Sequence, residues 1–408
     1  MNVIIAKVIY KSIKISRESG IIMLLETVYD NLQQKYSFQL VAGIQNTNRK
    51  ITWYHIIENT TLAEFIRGNE LIFITGVGFI GEDWLVSYIK ELIKYNACGL
   101  VVCIGPYIKA IPQCAIDICN SNSFPLFTIP WEFHLVDITR DLSQLIIEDE
   151  LILFQLTTAM KNIVTNTNKE ESIIQLTEIG YRKNSGYCIA QVACFDSGWK
   201  KDKTLDIIQD FMLLNCNGIA FCLKSNIVIV YVGSTKEGIR ELTQSLRAEL
   251  KKYYPIANVY IGVGNRGQGL STVPDSYKQA MNALSVAVMS ETSCVFYESI
   301  GLYKLLFAVE DQSVLAHFVD DTLGKIIHYD KTNNTDYLKW LNQYLRCDGS
   351  VQRVSEETFC HRNTVNYKMR KIRELFGLDT DSNAQKAAII IALHIVDIIN
   401  IQTVEQDE

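Results

Sequence analysis

The chain has 408 residues, of which 48% are hydrophobic and 21% are charged. This length predicts two to four domains of about 100–200 residues each, and the composition excludes a disordered or fibrous chain. The most apolar stretch, Ala387–Ile399, contains His394 and Asp397 and is too short to cross a membrane. Residues Met1–Gly20 lack the apolar centre of a secretory signal. We therefore expect a cytoplasmic protein with no membrane partner.

The eleven cysteines form no C-x-x-C pair and have no histidine at finger-like spacing. They are expected to act as small core hydrophobes, so we predict no metal and no cofactor. The net charge is −6, but the segment His361–Arg373 carries five basic residues and no acid, so the rest of the chain sums to −11. One basic segment in an acidic protein favours contact with nucleic acid. A solvated helix face would normally mix in acidic partners.

Between Leu24 and Thr128, short apolar runs alternate with amphipathic helices. This alternation predicts an α/β domain with parallel neighbouring strands. The predicted strands are Ile51–Ile57, Glu70–Thr75, Gly99–Ile104 and Pro125–Ile129, and the predicted helices are Thr27–Lys35, Asp83–Tyr95 and Ala110–Asn120. Ligand crevices lie at the carboxyl ends of such strands, so the loops after Thr75 and Ile104 are the expected small-molecule pocket.

The segment Ile138–Ile163 contains neither proline nor glycine and repeats apolar residues with heptad spacing. The repeating positions are Ile138, Leu142, Leu145, Asp149, Ile152, Leu156, Ala159 and Ile163. One interpretation is a linker helix that pairs with its twin in a dimer along this seam. The alternative is an amphipathic helix docked on the first domain.

The polar tract Thr165–Glu171 predicts a linker to a second domain. This domain alternates strands and helices: predicted strands are Gly186–Ala193, Ile227–Gly233 and Asn258–Gly264, and predicted helices are Leu205–Leu214, Lys236–Lys251 and Ser276–Met289. Gly262, Gly264 and Gly267 match G-x-G-x-x-G, the dinucleotide fingerprint. The next helix starts only after Pro274, however, so we predict a turn and no phosphate cradle.

The C-terminal part is predicted to be all helical. Leu302–Tyr329 reads as a helix, and Asp330–Thr335 as a second linker. Three helices follow: Asp336–Cys347, a short one capped by Ser350 that runs to Thr358, and one capped by Asn363 and ended by Gly377. Val365, Met369, Ile372 and Phe376 would form the buried face of the last helix. Two short helices with a tight turn, the second basic outside and apolar inside, describe a helix-turn-helix.

In that geometry the second helix enters the major groove. We expect Thr364, Asn366, Tyr367 and Lys368 to face base edges, next to Asn363 at the helix start. Arg362, Arg370 and Lys371 would lie near phosphates and set the register. The alternative is a basic helical hairpin that binds protein.

The segment Gly349–Leu378 resembles the C-terminal helix-turn-helix of PucR-type transcriptional regulators, whose helix entrance has the form H-R-N-T-V. His361–Val365 match that form residue for residue. Leu40–Gly43, Ile51–Glu58 and Leu62–Gly76 look like the N-terminal purine-catabolism-regulator domain. Val259–Ala287 is similar to a degenerate diguanylate-cyclase-like domain. The resemblance covers about residues 23–400.

The resemblance implies a multidomain protein with an α/β N-terminal domain, an α/β cyclase-like central domain and an all-α helix-turn-helix C-terminal domain. The implied parts are an N-terminal extension over 1–22, with Met23 as the expected start, an effector domain over 23–136 and a linker helix over 137–164. The cyclase-like domain over 170–300, a helical connector over 301–334 and the DNA-binding domain over 335–400 would follow. It further implies a regulator of purine, nitrogen or related catabolism. Its partners would be double-stranded promoter DNA, an unidentified small-molecule effector and further copies of itself, as a homodimer or higher homo-oligomer.

Three departures from the family pattern affect the helix-turn-helix. Ser355 and Thr358 replace small apolar residues, which is expected to weaken the local core, and Asn366 replaces a common arginine, which affects base preference. In the cyclase-like domain, Leu223–Ile227 (LKSNI) lacks the carboxylates that would hold Mg²⁺ on a nucleotide. We therefore expect no enzyme activity. A nucleotide-processing enzyme and a protein-binding adaptor are the alternative functions.

Overall fold

The computed structural model describes residues 23–181, 184–195, 198–255, 258–380 and 382–406. The predicted extension over residues 1–22 lies outside these ranges. The described chain forms two domains that each contain one sheet, followed by a helical C-terminal module. Within these residues, no helix has the length and apolar character needed to cross a membrane.

The first domain contains a five-stranded sheet with the order β1-β5-β4-β3-β2. Strands β2 to β5 are parallel, as predicted, and β1 pairs antiparallel with β5. The sequence pattern missed β1. The elements are α1 (Leu25–Tyr36), β1 (Gln39–Ala42), β2 (Trp53–Ile56), β3 (Glu70–Ile74), α2 (Glu82–Lys94), β4 (Gly99–Ile104), α3 (Gln113–Ser121) and β5 (Leu126–Pro130).

Both faces of this sheet are covered by helices. Ile72 and Ile74 of β3 pack toward α2 and α3, whereas Leu71 and Phe73 pack toward α1 and the next helix, α4 (Leu135–Val164). Successive side chains of a strand point to opposite faces, so a strand buried on both faces consists of a continuous apolar run. This explains why β3 and β4 were recognisable in the sequence.

Helix α4 joins the two sheet domains, and its apolar stripe is buried inside its own chain. Ile138 and Leu142 belong to the core of the first domain, and Leu156 and Ile163 belong to the core of the second domain. The predicted pairing with a second copy along this seam is therefore wrong. The docked interpretation is the correct one, with the extension that α4 docks on both domains.

The seam residue Asp149 lies between these two buried halves. Burial raises the pKa of its carboxyl group to about 6, and a hydrogen bond with the Met23 backbone opposes that rise. A different stripe of α4 faces solvent, because Ile147, Leu151 and Phe154 are each more than half exposed. These three side chains follow each other at spacings of four and three residues.

The central domain contains a six-stranded sheet. Its strand order is β11-β9-β6-β8-β7, and β10 pairs with β6. The pairs are antiparallel except for β9 with β11. The elements are α5 (Lys169–Ile179), β6 (Gly186–Cys194), α6 (Lys201–Asn215), β7 (Gly218–Leu223), β8 (Asn226–Val232), α7 (Lys236–Tyr253), β9 (Val259–Val263), β10 (Gly267–Gln268), α8 (Val273–Met289) and β11 (Cys294–Phe296).

Several details of this domain differ from the sequence prediction. Strands β7, β10 and β11 and helix α5 were not predicted, and the polar linker is shorter than expected because α5 already begins at Lys169. Gly267 does not open a helix, as predicted, but it lies in the short strand β10 and not in the predicted turn. A side chain at Gly262 would place its Cβ 2.2 Å from the Leu284 backbone nitrogen. The motif therefore allows β9 to pack closely against α8.

The C-terminal module contains α9 (Tyr303–Leu306), α10 (Gln312–Asn333), α11 (Tyr337–Arg346), α12 (Val351–Thr358), α13 (Arg362–Phe376) and α14 (Asn383–Gln406). Helix α10 continues through most of the predicted linker Asp330–Thr335. The Asp330 carboxylate accepts hydrogen bonds from the backbone nitrogens of Tyr337 (3.0 Å) and Leu338 (2.8 Å). This contact fixes the start of α11 on the end of α10.

Candidate nucleic-acid interface

Helices α12 and α13 form the predicted helix-turn-helix. Ser350 caps α12, because its hydroxyl oxygen accepts a hydrogen bond from the Arg353 backbone nitrogen at 3.3 Å. The helix is eight residues long and ends at Phe359, which adopts the left-handed conformation with φ 53°. The Phe359 side chain is 96% exposed. The turn between the two helices therefore presents a large apolar side chain to solvent.

His361, and not Asn363, caps helix α13. The His361 backbone is extended, and its Nδ1 accepts a hydrogen bond from the Asn363 backbone nitrogen at 3.2 Å. Asn363 lies in the first turn of the helix. The prediction of Asn363 as the cap was wrong because the helix begins two residues earlier than assumed, at Arg362.

The apolar side of α13 is buried as predicted. Val365, Ile372 and Phe376 are buried, and Gly377 ends the helix with φ 69°. Val365 packs with Val354 of α12 and with Cys347. Because helix-turn-helix geometry depends on this contact, the small cluster fixes the angle between the two helices.

Ser355 and Thr358, the two polar residues of α12 that depart from the family pattern, form hydrogen bonds to backbone atoms. The Ser355 hydroxyl donates to the Cys360 carbonyl oxygen at 2.6 Å, and the Thr358 hydroxyl donates to the Val354 carbonyl oxygen at 2.7 Å. Val354 is the one side chain of α12 that is buried. The hydroxyl groups are thus satisfied, but they add no apolar contact to the core.

The outer side of α13 is exposed and carries most of the predicted site. Tyr367 is 47% exposed, and the Arg370 guanidinium carbon lies 5.8 Å from its ring centroid. Lys371 is half-buried. The exposed members of the predicted set are Arg362, Asn363, Thr364, Asn366, Tyr367 and Arg370. One helix face therefore combines amide, hydroxyl, phenol and guanidinium groups.

Acidic residues from outside the basic segment contact some of its cations. Glu374 lies 3.8 Å from Arg370 and 3.5 Å from Lys371, measured between the charged nitrogen and oxygen atoms. These pairs are solvent-exposed and contribute little stability. The sequence argument that the segment lacks acidic partners therefore holds only within His361–Arg373.

Lys368 points toward α11. Its Nζ lies 2.9 Å from Asp336 Oδ1 and 4.7 Å from the centre of the Tyr337 ring. Trp340 also donates through Nε1 to Asp336 Oδ2 at 3.1 Å. The Lys368 side chain is only 23% exposed. Its ammonium group thus ties α13 to the start of α11.

Sequence reasoning missed Phe359, Asp336 and Trp340. Phe359 follows directly after the short helix, at the position where a helix often ends on a glycine in the left-handed conformation. A bulky residue at that position was the one signal that could have drawn attention to this turn. The contacts of Asp336 and Trp340 with Lys368 span about thirty residues, so no local spacing rule could reveal them. In the part of the chain that the structure describes, no cluster of three or more histidine, cysteine or acidic residues could hold a metal ion.

Comparisons with known proteins match each of the three parts. Residues 30–146 match the Purine catabolism regulatory protein-like family, residues 165–286 match the GGDEF-like domain, and residues 337–395 match the PucR C-terminal helix-turn-helix domain. The chain belongs to the PucR family. The third match contains helices α11, α12 and α13, so the surface described above lies in the helix-turn-helix of a PucR-family protein.

Several curated relatives support the same relationship. The chain is 26% identical over 165 residues to the Proline-responsive transcriptional activator PutR of Bacillus subtilis, covering 38% of this chain and 40% of that protein. It is 25% identical over 158 residues to the DNA-binding transcriptional activator AdeR of the same species, covering 38% and 37%. It is 26% identical over 167 residues to the Purine catabolism regulatory protein of Bacillus subtilis, covering 38% and 30%. The matched region thus spans 40% or less of the length of these relatives.

Proposed function

We propose that this PucR-family chain is a DNA-binding transcriptional regulator whose helix α13 enters the major groove of promoter DNA. The observation that carries the proposal is the two-sided character of α13. Val365, Ile372 and Phe376 are buried on one side, and the exposed polar and basic set lies on the other. A helix held in this way can present its first residues to base edges.

The predicted site residues divide into two roles. Asn363, Thr364, Asn366 and Tyr367 lie in the first two turns, and we assign them to the base edges. Arg362, Arg370 and Lys371 are assigned to phosphates, which position the helix without reading sequence. We assign Lys368 to neither role, because Asp336 and the Tyr337 ring already engage its ammonium group.

The regulator is proposed to act as a homodimer or higher homo-oligomer. A single helix-turn-helix binds weakly, and two linked copies gain affinity because the second contact becomes intramolecular. Half-sites one helical turn apart would match a twofold dimer. Since the predicted seam of α4 is buried, we place the contact on its exposed stripe of Ile147, Leu151 and Phe154. Four-three spacing of apolar residues is the pattern by which helices pair.

The signal is proposed to be a small metabolite of purine, nitrogen or related catabolism, with the first domain as its sensor. The names of two relatives support this class, because one is called proline-responsive and another is called a purine catabolism regulatory protein. We propose the cytoplasm as the site of action, since the regulators to which this chain is similar are bacterial proteins.

An enzyme is the second candidate, because residues 165–286 match a GGDEF-like domain. We propose that this domain is catalytically silent. Its β7–β8 hairpin turns at Lys224 and Ser225, between the paired residues Leu223 and Asn226, and none of these four residues has a carboxylate. Incubation of the purified protein with GTP and Mg²⁺ tests this point, and formation of a cyclic dinucleotide would contradict it.

A gel-shift titration tests the DNA-binding proposal. The probes are genomic fragments that flank the gene for this chain, and the variants are Arg362→Ala and Lys94→Ala. Lys94 is an exposed cation of the first domain and serves as the matched charge control. We expect Arg362→Ala to weaken binding to every bound fragment and to reduce the salt slope by about 1. Equal binding by Arg362→Ala and the parent would contradict the assignment, and failure to retain any fragment at low salt would favour a protein-binding adaptor.

A further inference from the structure

The central domain contains a second candidate site, at the end of its sheet opposite the β7–β8 hairpin. A cleft of about 240 Å³ opens there beside the first turns of α7. Its residues come from the ends of β9 and β11, from the start of β6 and from α7. None of the proposed DNA contacts lies in this cleft.

Three cations and one carboxylate line the cleft. Glu298 forms salt bridges with Lys236, at a nitrogen–oxygen distance of 2.6 Å, and with Arg240, at 3.2 Å. Arg266 is the third cation. The cleft therefore has two positive charges more than its own acidic residue neutralises. The N-terminal end of α7, an 18-residue helix, adds the positive end of its dipole at the same place.

The glycine motif holds Arg266 in this cleft. Gly264 approaches α8 so closely that an added Cβ would lie 2.1 Å from the Ser276 carbonyl oxygen. The chain then turns, and Arg266 Nε donates to the Ser234 carbonyl oxygen at 2.9 Å. The guanidinium group lies flat against Gly186, where a Cβ would be 2.1 Å from Nη2. Gly186 thus leaves the space that the guanidinium group occupies, and the Ser234 carbonyl oxygen fixes its Nε.

The remaining wall is apolar. Ile239 and Val263 line the cleft, and Phe296 lies 5.3 Å from the Arg240 guanidinium carbon. Binding sites typically combine apolar walls with a few placed polar groups. A ligand suited to this wall has an oxyanion at one end and a short apolar body.

We propose that this cleft binds a small anionic metabolite that carries a carboxylate or phosphate group. The oxyanion contacts Arg240, Arg266 and Lys236, and the body of the metabolite packs against Phe296. Binding itself is independent of the proposed function. If binding of the anion changes the affinity of the chain for DNA, that effect rests on the proposed function.

Isothermal titration of the full chain with inorganic phosphate and, separately, with succinate tests the proposal. The ionic strength is held constant with potassium chloride, so that screening does not contribute. We expect at least one of the two anions to bind with a Kd of about 1 mM, as suits a fragment of the true ligand. The two titrations distinguish a phosphate site from a carboxylate site.

Two variants with opposite expected effects separate binding from folding defects. Arg240→Gln is expected to weaken binding of the anion about tenfold, because it removes a cation that contacts the anion directly. Glu298→Gln is expected to strengthen binding of the anion, because the carboxylate that competes for Lys236 and Arg240 is lost. Lys252→Gln is the control, since Lys252 is an exposed cation of α7 that pairs with Glu249 outside the cleft.

Absence of binding of both anions to the parent protein would overturn the proposal, as would unchanged affinity in both Arg240→Gln and Glu298→Gln. A gel shift performed on the same samples separates the two proposals. Anion binding without DNA binding leaves this site standing and refutes the proposed function, and the reverse result refutes only the site.

Discussion

Lys368 provides the sharpest test of which residues of α13 contact DNA. The sequence placed it among the base-contacting residues, whereas the structure directs its ammonium group to Asp336 and the Tyr337 ring. Lys368→Met removes the charge and keeps the apolar stem in place. If the lysine ties α13 to α11, the variant loses stability. If it contacts DNA, the variant loses affinity and part of the salt dependence.

The expected size follows from the two contacts. An ion pair that is partly exposed contributes about 0.5–1 kcal/mol, and a cation above an aromatic ring contributes about 0.5–1 kcal/mol at a partly exposed site. We therefore expect Lys368→Met to lower the free energy of unfolding by about 1–2 kcal/mol. Asp336→Asn keeps the ring contact and is expected to lose about half of that. The pair also lowers the pKa of the Asp336 carboxyl group, chiefly through the hydrogen bond from Lys368, so its contribution disappears as the pH falls through that pKa.

Urea denaturation and gel shifts at several salt concentrations measure the two outcomes on the same protein. Lys368→Met is expected to shift the denaturation midpoint of the C-terminal module and to leave the salt slope of DNA binding unchanged. Arg370→Met is the comparison, since that side chain is 66% exposed and should lower the slope by about 1. A Lys368→Met protein with parental stability and a lower salt slope would refute the assignment of a positioning role.

Three further expectations concern other parts of the chain. Asp149→Asn should stabilise the protein by about 1–2 kcal/mol at pH 7, because burial disfavours the ionised carboxylate and raises the native pKa to about 6, above that of the unfolded carboxyl group. This advantage shrinks as the pH falls through about 6 and is gone below about 4, so urea midpoints at about pH 7 and about pH 4 check it. Leu151→Glu should convert the proposed homo-oligomer to monomer in sedimentation experiments, and an unchanged sedimentation coefficient would exclude the exposed stripe of α4 as the interface. Val354→Ala should cost about 2 kcal/mol and weaken DNA binding at 37 °C, because it empties the small contact between α12 and α13; thermal unfolding followed by circular dichroism measures the loss, and a midpoint equal to that of the parent would contradict it.

The parts of the fold that could be predicted are those in which local pattern and burial agree. Strands β3 and β4 are continuous apolar runs because both of their faces are covered. Strands β1 and β11 are edge strands of four and three residues, and neither has an apolar run long enough to stand out. Edge strands are stabilised by pairing with a neighbour, which a local pattern does not contain.

The heptad of α4 shows a second kind of limit. Its spacing correctly indicated a buried stripe, yet spacing alone does not identify the surface that buries it. Ile138 contacts one domain and Ile163 contacts the other. The same holds for α13. Its buried face followed from periodicity, but the direction of the Lys368 side chain depends on Asp336, at the start of α11.

The cap of α13 shows a third limit, in which a general preference competes with local geometry. Asparagine is a preferred cap and histidine is not, so Asn363 was the natural choice from sequence. The chain reverses direction at Phe359, however, and this leaves His361 with the extended backbone that a cap requires. The H-R-N-T-V entrance is therefore a structural unit in this chain. His361 closes the helix end, and Arg362, Asn363 and Thr364 are exposed beyond it.

Packed helices connect the successive parts of the chain. Helix α4 is shared between the cores of both sheet domains, so a shift in the first domain moves a helix that the second domain also packs on. Within the C-terminal module, Tyr303 of α9 and His394 of α14 form a hydrogen bond of 2.9 Å. Burial raises the pKa of the Tyr303 phenol to about 12 and lowers the pKa of the His394 imidazole, so both groups are neutral at pH 7 and the bond persists there. We propose that a metabolite bound to a sheet domain would act on the C-terminal module through these packed helices.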